Sequence, residues 1–115
     1  MTLSMKEVLA ACNITAHTIR YYEKEGLLSI PRNMHGVREF DEPTVARLKS
    51  VVHYRNAGIP VKAIKQIFDQ PNNVDLRLEF MYEARQNIIA DIEKMQETLG
   101  YLNNKINLHT KKNAS

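Results

Sequence analysis

Thr18, Arg20 and Tyr22 set two hydroxyls and a guanidinium along one short segment, residues 15–26, that Thr15 opens as a helix cap and Gly26 closes. Hydroxyls and arginine at helical spacing suit phosphate oxygens and base edges. A guanidinium can also pair bidentately with a guanine or a phosphate, which a lysine cannot copy. Ile19 is the only strongly apolar side chain of the segment apart from the amphipathic tyrosines, so most of this helix should lie outside a core. Only one ring of the Tyr21–Tyr22 pair can face outward. With Thr18 and Arg20 assigned to the same face, Tyr22 is expected to be the outer ring and Tyr21 a core or interface aromatic. Parts for catalysis are missing from the sequence: there is no glycine-rich phosphate loop, no metal-ligand cluster and no nucleophile with an evident base, so the chain reads as a non-enzyme without cofactor or metal.

The elements that position this segment follow from caps and periodicity. Ser4 and Glu7 form a capping box, with Leu3 and Val8 as a hydrophobic staple, and the first helix should stop at Asn13, which tolerates the left-handed conformation. Two short helices joined through Asn13 and Ile14 make a helix-turn-helix, whose second member usually enters the major groove. Residues 27–40 place extended stretches around a turn-prone centre at Asn33 and Gly36, which predicts a small two-stranded wing. Asp41 caps a third helix with a buried stripe of Val45, Leu48, Val51 and Val52, closed by Gly58 and Ile59. A fourth helix over residues 61–69 buries Ile64, Ile67 and Phe68 and is stopped by Pro71.

From residue 74 the apolar positions step by three and four: Leu78, Met81, Ile88, Ile92, Met95, Leu99, Leu102 and Ile106, with Arg85 interrupting the seam. This heptad pattern predicts a dimerisation helix in a coiled coil, in which Arg85 sets register or partner choice. A helix of about 35 residues spans about 50 Å, more than a domain of this size can cover, so it needs a second helix, most simply its own copy. Gly100, Asn103, Asn104 and the residues from His109 onward suggest fraying towards the end. The expected organisation is a DNA-binding unit at 1–70, a linker at 71–73 and a dimerisation helix at 74–112.

The chain of 115 residues carries a net charge of +3, and all of the excess lies in residues 1–69, with ten basic against seven acidic side chains, while residues 70–115 balance at six against six. That asymmetry fits a basic module joined to a neutral one. No apolar run reaches the roughly 20 residues of a membrane span and no secretion signal is visible, so a cytoplasmic location is expected. The single cysteine, Cys12, excludes an intramolecular disulfide and a thiolate-rich zinc site within one chain; its position suits a small buried side chain rather than a reactive thiol.

Residues 14–28, Ile-Thr-Ala-His-Thr-Ile-Arg-Tyr-Tyr-Glu-Lys-Glu-Gly-Leu-Leu, followed by Arg32, Gly36, Arg38, Phe40, Arg47-Leu48 and Arg55-Asn56-Ala57-Gly58-Ile59, closely resemble the MerR family of bacterial transcription regulators. The resemblance covers residues 3–69, and the long helix resembles that family's dimerisation helix. It implies a mainly α fold: a winged helix-turn-helix followed by an antiparallel coiled coil in a homodimer. The implied function is binding of a palindromic site in the double-stranded DNA of a promoter, with distortion of an overlong spacer so that RNA polymerase engages both promoter elements. By the same resemblance His17 and Thr18 stand at the groove-facing start of the recognition helix, Arg20 on bases or phosphate and Tyr22 on phosphate. Arg38 and Arg32 are wing contacts to the backbone, and Arg55 a phosphate contact before the turn into the fourth helix.

Three positions depart from the family pattern: Asn13 replaces a glycine in the turn, Val37 a wing tyrosine, and Pro60 the serine cap of the fourth helix. Two other readings stand beside regulation by this route: an architectural protein whose coil recruits another chain, and a repressor without an inducer.

Overall fold

The computed structural model describes residues 2–114, with side chains to Lys112. Met1 of the expected N-terminal unit and Ser115 of the expected frayed end lie outside the described residues. Among the described residues five helices carry the fold: α1 (Met5–Cys12), α2 (Ala16–Lys24), α3 (Glu42–Asn56), α4 (Val61–Asp69) and α5 (Val74–Ala114). Each boundary has a local cause. The Ser4 hydroxyl accepts from the Glu7 amide and Glu7 bonds back to the Ser4 amide, which satisfies two free donors at the start of α1. Asn13 ends that helix at φ 53°, the left-handed conformation that an asparagine adopts more readily than most residues. Thr15 caps α2 through the Thr18 amide.

The third helix opens on Asp41, whose carboxylate accepts from both the amide and the hydroxyl of Thr44. Those bonds, the hydroxyl's first, hold the Asp41 carboxyl below the usual carboxylate range. Its end is a left-handed Gly58 at φ 85° followed by Ile59, whose amide reaches back to the Tyr54 carbonyl at 3.0 Å, with Ile59 tucked into the core. Pro60 precedes α4 without a side-chain cap, which leaves that helix start to backbone and solvent.

Apolar side chains from the first four helices and from the segment between α2 and α3 close on one core, in which Phe40, Ile19, Leu27, Leu48, Ile64, Val8 and Val51 are fully buried. Arg47 ties two parts of it together: Nε donates to the Leu27 carbonyl at 3.0 Å and the guanidinium lies over the Phe68 ring at 3.9 Å. Phe80 and Met81 of α5 pack against this core and Ala84 is buried in it, so the long helix is anchored by its first turns.

One expectation fails here. The segment after α2 makes only single antiparallel bridges, Arg32 with Arg38 and Leu3 with Phe40, and no strands among the described residues. Asn33 explains the shortfall: its side-chain oxygen takes the amides of His35 and Val37 at 2.8 and 3.1 Å, and Pro31 has no amide to give. The wing is therefore a loop pinned by an asparagine. The long helix α5 runs unbroken through Ala114, a span of 41 residues. It gives the chain its length, 74 × 35 × 22 Å overall.

Candidate nucleic-acid interface

The orientation of α2 follows from which of its residues the core takes. Ile19 and Tyr22, three apart, face inward with 0% and 6% exposure, and the opposite face presents His17, Arg20, Tyr21 and Lys24 to solvent. The assignment of the two rings is thus reversed. Tyr22 is a core aromatic, and Tyr21, 45% exposed and 6.0 Å from it centroid to centroid, is the outer ring. Spacing decides it: Tyr22 lies one turn beyond Ile19 on the same side, whereas Tyr21 falls within the His17–Lys24 stripe. Thr18 is half-buried, with its hydroxyl 2.9 Å from that of Thr15, so it stands beside the cap rather than on the outer face.

The wing loop brings two more arginines to this helix. Arg38 directs Nε and Nη2 to Glu23 Oε1 at 3.2 and 2.9 Å, and Arg32 places Nη2 at 3.2 and 3.4 Å from the two oxygens of the same carboxylate. Glu23 is the residue the sequence reading overlooked. Its signal is a carboxylate on the wing-side flank of an otherwise basic helix face. The result is a hollow of about 420 Å³ between α2 and the wing, lined by Arg20, Arg32, Arg38, Ala16, Val37 and Met5 among others. Three arginines line one hollow and a carboxylate fixes two of them, an arrangement whose charge and preorganised geometry suit an anion. Met34, 93% exposed, and His35 mark the tip of the loop beside it.

Arg55 stands apart from this hollow. Its Nη1 donates to the Ile59 carbonyl at 3.1 Å, so it closes the turn between α3 and α4 while the side chain stays exposed at the protein surface. Of the expected positions the structure therefore gathers Arg20, Arg32 and Arg38, leaves His17 close by on the same face of α2, and places Arg55 on a separate turn.

The positions expected at a coil seam are open to solvent over most of α5. Leu78, Ile88, Ile92, Met95, Leu99, Leu102 and Ile106 are between 36% and 71% exposed, far from any part of the same chain that could cover the later ones. Met81 is half-buried against the core, and Arg85 is exposed with its guanidinium 4.9 Å from the Tyr82 ring. Among the described residues no group of three or more His, Cys, Asp or Glu could hold a metal ion, and no helix is long and apolar enough to cross a membrane.

The chain is similar to known proteins in sequence and in fold. The profile of the MerR HTH family regulatory proteins matches residues 3–71. An uncharacterised HTH-type transcriptional regulator of Haemophilus influenzae is 26% identical over 99% of this chain and 88% of its own length. The HTH-type transcriptional regulator AdhR of Bacillus subtilis is 31% identical over 77% of this chain, a match that spans 61% of AdhR. Among solved structures, HiNmlR, a MerR family regulator lacking the sensor domain and bound to promoter DNA, superposes with a TM-score of 0.79 at 26% identity, covering 99% of this chain and 94% of that one. A MerR family transcriptional regulator from Bacillus thuringiensis gives a TM-score of 0.74 at 29% identity, over 92% and 97% of the two chains. The profile match over most of the chain, and agreement of the whole fold out to the long helix, make this chain a member of the MerR family of helix-turn-helix transcription regulators.

Proposed function

We propose that the chain binds a palindromic promoter site on double-stranded DNA as a homodimer and regulates transcription by distorting that DNA, with RNA polymerase engaged at the same promoter. The observation that carries this reading is the convergence of Arg20, Arg32 and Arg38 on one hollow beside the outer face of α2. In the complex the start of α2 enters the major groove. His17 and Arg20 reach base edges, and Thr18 stays near the backbone at the helix start. Arg32, Arg38 and Arg55 hold phosphates on either side, and Tyr21 takes the place first assigned to Tyr22.

Two copies are required because one α5 cannot cover its own seam. Burying the exposed faces of Ile88, Ile92, Met95, Leu99, Leu102 and Ile106 against a second helix supplies the driving force, at about 25 cal/mol per Å² of apolar surface. Arg85 favours the antiparallel arrangement. A parallel, in-register pair would set two Arg85 side chains face to face on the seam, whereas an antiparallel pair sets each against an apolar residue of the other helix. Anchoring at the first turns of α5 points the same way, since a parallel pair would crowd two DNA-binding modules at one end of the coil.

Fluorescence anisotropy of labelled DNA from the chain's own promoter region, titrated at fixed salt, tests the reading. A palindromic site should bind at least about a thousandfold more tightly than random DNA of the same length. Equal affinity for both would refute it. Light scattering on the free protein separates it from the architectural alternative, which calls for a monomer or a mixed coil with another protein.

A further inference from the structure

The tip of the wing loop carries an apolar side chain that the core of the same chain does not use. Met34 is 93% exposed, and Val37 on the same loop is 57% exposed. The loop is nevertheless tightly held. The Gly36 amide donates to the Asn33 carbonyl at 2.9 Å, which makes Met34 and His35 the central pair of a tight turn, and Gly36 follows them in the left-handed conformation at φ 77°. The Asn33 amide donates to the Val37 carbonyl at 2.9 Å, and the Asn33 side-chain oxygen holds the His35 and Val37 amides. Below the turn Glu23 clamps Arg32 and Arg38, so the tip is fixed relative to α2. Turn centres accept most residue types, and nothing in this turn calls for a methionine.

Resting on the DNA binding proposed above, we infer that Met34 is a wedge, which enters the minor groove next to the major groove that holds α2 and pushes apart one base step there. The hollow between α2 and the loop decides the groove. Ala16 and Arg20, from the start of α2, line it together with Gly36 and Val37 of the loop, and Arg32 and Arg38 add their charge. That charge suits one phosphate backbone lying along the hollow. A single backbone is all that separates a major groove from the adjacent minor groove. With α2 in the first and the strand in the hollow, the loop tip on the far side stands over the second. Proteins that work in the minor groove insert apolar side chains, methionine among them, to unstack a step and bend the duplex. Such a wedge must be held against recoil, and the bonds of Asn33 and Glu23 do this. The distortion of promoter DNA then has a named source. A pyrimidine–purine step, which unstacks readily, is favoured beneath Met34 although no hydrogen bond reads it.

The test places the fluorescent adenine analogue aminopurine at successive positions across the site, in DNA from the chain's own promoter region, and records its emission with the full chain bound at saturation. Unstacking raises that emission. With the wild-type chain a rise of about twofold or more is expected at one step in each half-site. Met34→Leu should keep the rise, whereas Met34→Ala and Met34→Gln should abolish it. Circular dichroism of all three variants should match the wild type, because the side chain is exposed. A rise that survives in Met34→Ala would overturn the wedge alone. So would the absence of any rise in the wild type while the palindromic site is still bound in preference to random DNA. A wild-type chain with no preference for any site would refute the DNA-binding reading and the wedge with it.

Discussion

Arg38 Nη2 lies 2.9 Å from Glu23 Oε1, and this pair joins the wing loop to α2 while a second arginine, Arg32, shares the same carboxylate. Glu23 therefore does two opposing things on the surface proposed to meet DNA: it orients two guanidinium groups and cancels part of their charge. Replacing it with glutamine should free that charge and loosen the orientation. The salt dependence of DNA binding should steepen by about one in log–log slope, while the preference for the specific site over random DNA narrows. Folding stability should fall by less than about 1 kcal/mol, because Arg32 is 43% exposed and the pairs are partly screened. Anisotropy titrations of E23Q at several salt concentrations check this, and an unchanged slope would count against it.

Arg20 and Arg38 line one hollow but should not behave alike. Arg20 stands on the outer face of α2 and makes no ion pair among the described residues, which leaves its fork for a base edge or phosphate in the proposed complex. Arg20→Ala should cost about 1–3 kcal/mol at the specific site and much less on random DNA. Arg38→Ala should weaken both kinds of binding by similar factors. Equal losses in the Arg20 variant would remove its base-reading role.

How much of this was readable in advance depended on whether a residue's role is local. Ser4 with Glu7, Asn13, Thr15, Asp41 and Gly58 act through neighbours a few residues away, and each was legible from type and spacing. The basic hollow was only half legible, since Glu23 meets Arg38 across 15 residues and a loop whose path no periodicity encodes. Arg47 is a similar case, reaching the Leu27 carbonyl and the Phe68 ring from different elements. The Tyr21–Tyr22 reversal has another cause: the decisive cue, Ile19 one turn before Tyr22, was present in the sequence but outweighed by the chemistry expected of the hydroxyl.

Acid should weaken the start of α3. The Asp41 carboxyl is held below its usual range by the Thr44 hydroxyl and amide, so its contribution is fully present above the unfolded value near about pH 4 and is lost as pH falls through the lower folded value. Thermal unfolding of the wild-type chain between pH 5 and pH 3, a range chosen around about pH 4, should show a fall in Tm. That fall should be shallower in Asp41→Asn, which keeps a capping oxygen but does not titrate. Identical slopes in the two proteins would assign the acid sensitivity to other groups.

Gly100 sits inside α5, and a Cβ added there would meet nothing within 4 Å. Its seam neighbour is Leu99, which puts position 100 on the outer side of the proposed coil. Gly100→Ala should therefore stabilise the helix by about 0.5–1 kcal/mol per protomer through reduced freedom of the unfolded chain. Chemical denaturation should show a higher midpoint with an unchanged slope. Loss of the dimer in this variant would instead place Gly100 at a close helix contact.

Arg85 is the strongest test of the coil, because it breaks an otherwise apolar seam and stacks on Tyr82 without an acid partner among the described residues. In the proposed antiparallel coil its charge faces an apolar residue of the partner helix and must be partly desolvated, a cost that an apolar side chain avoids. Arg85→Leu should tighten the dimer by about tenfold or more in Kd, about 1.4 kcal/mol, measured by sedimentation equilibrium. The same change removes the like-charge contact that disfavours the parallel pair. Dyes placed at Leu108 should stay far apart in the wild-type dimer, since an antiparallel pair sends the two C-terminal ends in opposite directions. In Arg85→Leu a fraction of dimers should show efficient energy transfer between them, as parallel pairs become accessible. Efficient transfer already present in the wild-type dimer would mean that the coil is parallel and that Arg85 does not set its direction.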